Sequence, residues 1–186
     1  MTTTTINRSR GGVLMLLGCL LVMAACGSPL RDVPKLSAVE LDSDRTALAL
    51  REVNTLRAKG ARVWCVPFAR NASGVNIRGN ANTWWPQAEG QYARGHAPQV
   101  GAVMAWTATR KNPRGHIAVV SEIVSDREIR VDHANWKRNQ VSLKMSVIDV
   151  SEAGDWSAVR LESQPGAFGS TYPITGFIYP AKTNLQ

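Results

Sequence analysis

The stretch GAVMAWTATRKNPRGHIAVVSEIVSDREIRVDHANW, residues 101–136, decides the fold. It holds three short runs rich in valine, isoleucine and alanine, at 102–107, 116–124 and 128–135. Asn112-Pro113-Arg114-Gly115 separates the first two and Ser125-Asp126 the next pair. Short β-branched runs divided by such turn residues predict successive antiparallel strands. The pattern continues downstream with runs at 141–147, 157–161 and 174–179. Lys137 to Asn139, Gly154-Asp155 and Gln164 to Gly169 read as the turns between them.

Upstream the periodicity is helical. Leu48, Leu50, Val53 and Leu56 follow the possible caps Asp42, Ser43 and Asp44, and Lys59-Gly60 supplies a stop, so a helix is expected over about 44–59. A second helix is expected over 65–73, with Pro67 in its first turn and Gly74 ending it. A third, short piece spans about 80–88, and residues 89–100 read as loop. Helices first and antiparallel strands after give an α+β arrangement, with the helices on one face of a roughly six-stranded sheet.

The amino terminus reads as a separate unit. Arg8 and Arg10 precede an apolar run from Val13 to Ala25, and small residues stand just before Cys26. That order is the layout of a secretory signal over 1–25. The apolar run is too short to cross a bilayer core of about 30 Å as a helix. Residues 26–41, with Pro29 and Pro34, read as a tether, and 42–186 as one catalytic domain. Leu21-Val22-Met23-Ala24-Ala25-Cys26 resembles a bacterial lipobox, which implies a lipid anchor on Cys26 and a periplasmic or envelope location; secretion in free form is the alternative.

Cysteine usage then singles out one thiol. Of three cysteines, Cys19 lies in the signal and Cys26 at its end, so Cys65 stands alone in the folded part. An unpaired thiol in an exported chain is a candidate reactive group. Cys65 is placed at the start of the second helix, where unpaired backbone N–H groups and the helix dipole favour a thiolate. A base would come from His96, His116 or His133. His116 opens a strand, and His133 shares one strand face with Ile129, Val131 and Asn135. Trp64, Trp84, Trp85 and Trp136 are candidates to line a substrate groove. The cysteine and histidine spacings match no metal-ligand pattern, and no cofactor is expected.

The net charge is +8, and removing the two arginines of the signal leaves +6. A basic domain seeks anionic partners. Export argues against nucleic acid and favours cell-wall polymer or a membrane surface. The composition, 44% hydrophobic and 19% charged, is that of an ordinary globular domain, expected to be a monomer.

Together these segments resemble the CHAP family, the cysteine- and histidine-dependent amidohydrolases/peptidases. Trp64-Cys65-Val66-Pro67-Phe68-Ala69-Arg70 is similar to its cysteine motif, and Gly79 to Ala88 to the segment that follows. Gly101 to Trp106 and Gly115-His116-Ile117-Ala118-Val119-Val120 resemble its first strands, and His133-Ala134-Asn135-Trp136 its third motif. The likeness runs from about residue 60 to 150. It implies a papain-like α+β fold and cleavage of an amide bond in peptidoglycan, as an N-acetylmuramoyl-L-alanine amidase or a peptide endopeptidase. It makes Cys65 the nucleophile, His116 the general base and then acid, and Asn135 an orienting residue.

Two departures stand out. His133 occupies a position where many members carry an acid, although the related NlpC-type peptidases use a third polar histidine. The orienter of His116 is therefore either His133 or Asn135. Trp64 stands where some members have a polar residue, so no side-chain oxyanion donor is identified. Two other readings of the same fold are a peptidoglycan-binding module that does not cut and an acyltransferase.

Overall fold

The computed structural model describes residues 41–181. The expected signal segment, the Cys26 anchor and all of the tether but Leu41 lie outside the described residues. Helix α1 spans Ser43–Ala58 and α2 spans Cys65–Ser73. A 3-10 turn at Ala81–Thr83 leads into the short α3, Trp84–Gln87. Seven strands follow: β1 Arg94–Gly95, β2 Val103–Trp106, β3 His116–Ser125, β4 Glu128–Ala134, β5 Val141–Asp149, β6 Ala158–Gln164 and β7 Ala167–Ile178. The fold class is α+β, as expected.

Local chemistry explains the helix ends. The Asp42 carboxylate accepts from the backbone N–H groups of Asp44 and Arg45 at 3.0 and 3.1 Å, capping α1. Gly74 closes α2 in the left-handed region at φ 76°, its N–H donating to the Arg70 carbonyl. The start of α2 is different. Trp64 precedes it in extended conformation and makes no side-chain capping bond.

All strand pairings are antiparallel, in the order β1-β7-β2-β3-β4-β5-β6, and a further β6–β7 pairing closes the sheet into a barrel. Strand β3 is consequently buried on both faces over most of its length. Ile117 and Val119 pack against Phe68, Ala69 and Ala72 of α2. Ala118 and Val120 point the other way, into the barrel, with Met104, Ile129, Val131 and Phe177. His116 alternates with Ile117, so its ring belongs to the barrel side, at the mouth of the strand.

Two differences from the sequence reading have clear causes. The loop over 89–100 contains β1, whose two residues pair with Ile178 and Phe177; a two-residue strand carries no periodicity of its own. Strand β7 begins at Ala167, not near 174, because the turn after β6 is only Pro165-Gly166, with Gln164 already opposite Ala167. The longer β7 pairs with β6 as a hairpin, which closes the sheet; the seventh strand, beyond the six expected, is β1.

Gly176 sits where β7 bends past β2, at φ 149°. A Cβ there would lie 2.6 Å from the Trp85 ring and 2.7 Å from the Gly95 carbonyl oxygen. The carbonyl is backbone and cannot swing aside. Gly176→Ala is expected to destabilise the domain by about 2 kcal/mol, as overpacking does. A thermal melt lowered by roughly 4–8 °C is the readout; an unchanged midpoint would refute the steric argument.

Candidate active site

The first turn of α2 and the mouth of β3 meet at an open cavity of about 820 Å³. Cys65 and His116 both line it, with Trp64, Asn135, Trp136 and Tyr172. Cys65 is half-buried and is the free thiol of the described residues. The uncapped start of α2 leaves first-turn amides without helical partners. The backbone N–H groups of Ile117, Cys65 and Val66 act on the thiol, as does the positive charge of Arg114.

Those groups pull the thiol pKa down, but burial outweighs them and holds it above its ordinary value. The helix-start amides favour the thiolate as expected, but burial acts against them and is the larger effect, so the sulfur keeps its proton near pH 7.

His116 is fixed from several sides. The loop before it is clamped: the Asn82 N–H donates to the Arg114 carbonyl at 2.9 Å, and the Asn82 side chain to the Pro113 carbonyl at 3.1 Å. Gly115, at φ 68°, suits this turn, since a Cβ would lie only 3.0 Å from the Asn82 nitrogen in a backbone conformation that L side chains rarely adopt. The imidazole then packs edge-on to Trp106 at 5.1 Å between centroids and against Trp136 at 5.0 Å. Tyr172 backs Trp136 in turn.

The polar partner of His116 is His133. The Nε2 of His116 and the Nδ1 of His133 are 3.0 Å apart, with His133 fully buried. Burial holds the His133 pKa at about 3. Burial also pushes His116 well below its ordinary value, and the neighbouring His133 adds to the shift. Both rings are neutral near pH 7, so one donates to the other. If His116 is to offer a lone pair at Nδ1, its proton must sit on Nε2 and point at His133 Nδ1. His133 then carries its own proton on Nε2, which is buried and has no partner among the described residues.

Asn135 is placed differently from the expectation. Strand β4 ends at Ala134, and Asn135 turns to φ 63°. The two-residue alternation breaks there, so it does not continue the face of His133. Its side-chain oxygen accepts from the Asn139 N–H at 2.8 Å and from Arg62 Nε at 3.3 Å. It lines the cavity but stabilises a turn. The neighbouring Asp132 accepts from the Lys144 N–H at 2.8 Å, across a bulge in β5, away from His116.

Of the tryptophans, Trp64 and Trp136 line the cavity. Trp84 is fully buried in the core between helices and sheet, so it has no face for a sugar. Trp85 packs over Gly176, beneath the Arg94 guanidinium at 4.9 Å and near His96. Neither lines the cavity. His96 stays with that Trp85 cluster. The sequence reading missed Arg62, Lys111, Arg114 and Tyr172, all of which line the cleft. Tyr172 was hidden because the last strand was expected to begin only at 174, whereas β7 begins at Ala167. No three potential ligands converge as a metal site among the described residues.

Residues 57–135 match the CHAP domain model, a span that holds α2, the cleft helices and β1 to β4. A Streptococcus mutans serotype c protein described as "Putative hydrolase" is 29% identical over 96 residues, covering 51% of this chain and 40% of that protein. The chain thus matches less than half the length of this curated relative. The crystal structure of N-acetylmuramoyl-L-alanine amidase from Staphylococcus aureus is similar over 61% of this chain and 30% of that one, at 22% identity and a TM-score of 0.41.

Proposed function

From a chain that carries a CHAP domain over residues 57–135, we propose a hydrolase that cleaves an amide bond of peptidoglycan, with Cys65 as nucleophile and His116 as its base. The observation that supports it most is the facing of an uncapped helix start bearing a thiol and a strand mouth bearing an imidazole held at Nε2 by His133.

Both partners rest neutral, so the thiol is activated during attack and not stored as an ion pair. His116 Nδ1 takes the proton as sulfur bonds to the substrate carbonyl carbon. The amides of Cys65, Val66 and Ile117, which act on the sulfur, would serve as the backbone oxyanion donors of this mechanism in place of a side chain. The tetrahedral intermediate expels the amine, which receives its proton from His116, and leaves a thioester on Cys65. Water, deprotonated by the same imidazole, then attacks the thioester and frees the carboxylic acid and the thiol. Each cycle consumes one water and cuts one amide.

His133 acts through His116, as a positioning residue. It fixes the ring and its tautomer. A neutral imidazole stabilises an imidazolium less than a carboxylate would, which agrees with a neutral resting pair.

Mass spectrometry of muropeptides after digestion of purified sacculi tests this reading. Free stem peptides with intact lactyl-muramic acid indicate an amidase; shortened or uncrosslinked peptides indicate an endopeptidase. Products carrying a new peptide bond in place of added water would overturn hydrolysis in favour of acyl transfer. Sacculi left intact would overturn it in favour of a binding module.

A further inference from the structure

The cleft walls carry an unbalanced charge that hydrolysis does not itself require. Arg62, Lys111 and Arg114 all line the cavity, and no aspartate or glutamate does among the described residues. Two of these cations gather on one side chain. The Arg62 guanidinium carbon lies 4.2 Å from the centroid of the Trp64 ring, and that of Arg114 lies 5.4 Å from it. Trp64 is 38% exposed and immediately precedes the nucleophile.

Like charges brought onto one indole repel each other. Attraction to the ring offsets part of that cost and consumes no N–H donor of either guanidinium. Among the described residues the side-chain hydrogen bond of Arg62 is the single one to Asn135, and neither arginine pairs with a carboxylate. Arg114 is also close enough to act on Cys65. An anion bound there therefore sits beside the reacting bond, not at a remote patch.

We propose that Arg62 and Arg114, assembled on Trp64, bind a carboxylate carried by the substrate peptide next to the scissile amide. The inference rests on the reading of this cleft as a peptidoglycan amide hydrolase and names the feature of the peptide it selects. A guanidinium fork matches a carboxylate with two parallel hydrogen bonds, and two forks give the bound peptide one orientation relative to the thiol. A carboxamide at the same position offers no charge and presents N–H donors to N–H donors. Amidation of the peptide then abolishes the preference.

Binding and turnover test it separately. The full chain bearing Cys65→Ala is titrated by calorimetry with a peptidoglycan stem tetrapeptide whose carboxylates are free, and with the same peptide as carboxamides. The free acid is expected to bind at least about tenfold more tightly, the scale of one or two hydrogen bonds to a charged group. Adding Arg62→Gln and Arg114→Gln should reduce that ratio to near one, by weakening the acid and leaving the carboxamide unchanged. Equal affinities in the parent overturn the inference, as does an equal loss on both peptides in the arginine variants. With Cys65 restored, kcat/KM on cross-linked muropeptides with free or amidated peptide carboxylates, which contain both the muramoyl–alanine amide and the cross-link, should show the same preference, carried mainly by KM. Absence of turnover on either substrate, with the binding preference intact, would count against the hydrolase reading alone.

Discussion

A Cys65→Ala variant is expected to lose essentially all clearing of purified sacculi, with kcat down by at least about 10⁴-fold, the scale seen when a covalent nucleophile is removed. The size follows from the chemistry. Without sulfur no thioester can form, and water has to attack an unactivated amide directly. The amides of Cys65, Val66 and Ile117 remain and account for whatever residual rate survives. The change should cost little stability, because Cys65 is half-buried beside an open cavity. A thermal melt within a few degrees of wild type would establish that. Sacculi cleared at the wild-type rate would remove Cys65 from the mechanism. Alkylation of wild type adds a second check. Burial holds the thiol above its ordinary value of 9.0, so iodoacetamide labelling of the empty enzyme should keep rising through alkaline pH. A plateau already reached near neutrality would show a preformed thiolate and contradict the resting state proposed above.

The outline of this cleft was legible because local rules governed it. Pro67 falls in the first turn of α2, directly after Cys65-Val66, and His116 opens β3 directly after a Pro-Arg-Gly turn. Those two facts place the thiol and the imidazole at element ends, where side chains meet solvent. What was not legible depended on pairing or phase. Trp84 and Trp85 are chemically alike and adjacent, yet the turn of α3 buries the first and sets the second over Gly176. Asn135 followed the alternation of β4 on paper, but the strand stops one residue earlier and the backbone reverses. The β2–β7 pairing, Val103 opposite Ile178, is long-range, and nothing in the run from 174 to 179 announces it. The thiol is a different case. Helix start and amides were anticipated, whereas the opposing desolvation is a property of the assembled cleft.

His133 is where sequence and geometry combine into the sharpest test of mechanism. Replacing it with alanine is expected to lower kcat by about 10²–10³-fold with KM little changed, within the range attributed to a correctly held general base. The ring of His116 would keep its packing on Trp106 and Trp136 but lose the one polar contact that sets its tautomer. His133→Asn, which retains a hydrogen-bond acceptor, should recover part of the loss. His133→Asp separates positioning from mere packing. In wild type, burial keeps His116 well below its ordinary value of 6.5. The base form is lost only as pH falls through that depressed value, so the acid limb of kcat/KM should lie below pH 6.5. A carboxylate at 133 favours the imidazolium and raises the pKa of His116. The acid limb should therefore move up in pH in the aspartate variant, while the asparagine variant, which adds no charge, should leave it nearer the wild-type position. A purely structural role predicts lower stability in all three variants and no displacement of the limb. An acid limb that stays fixed in the aspartate variant would break the link between His133 and the base, and with it the assignment of Nδ1 as the atom that takes the thiol proton.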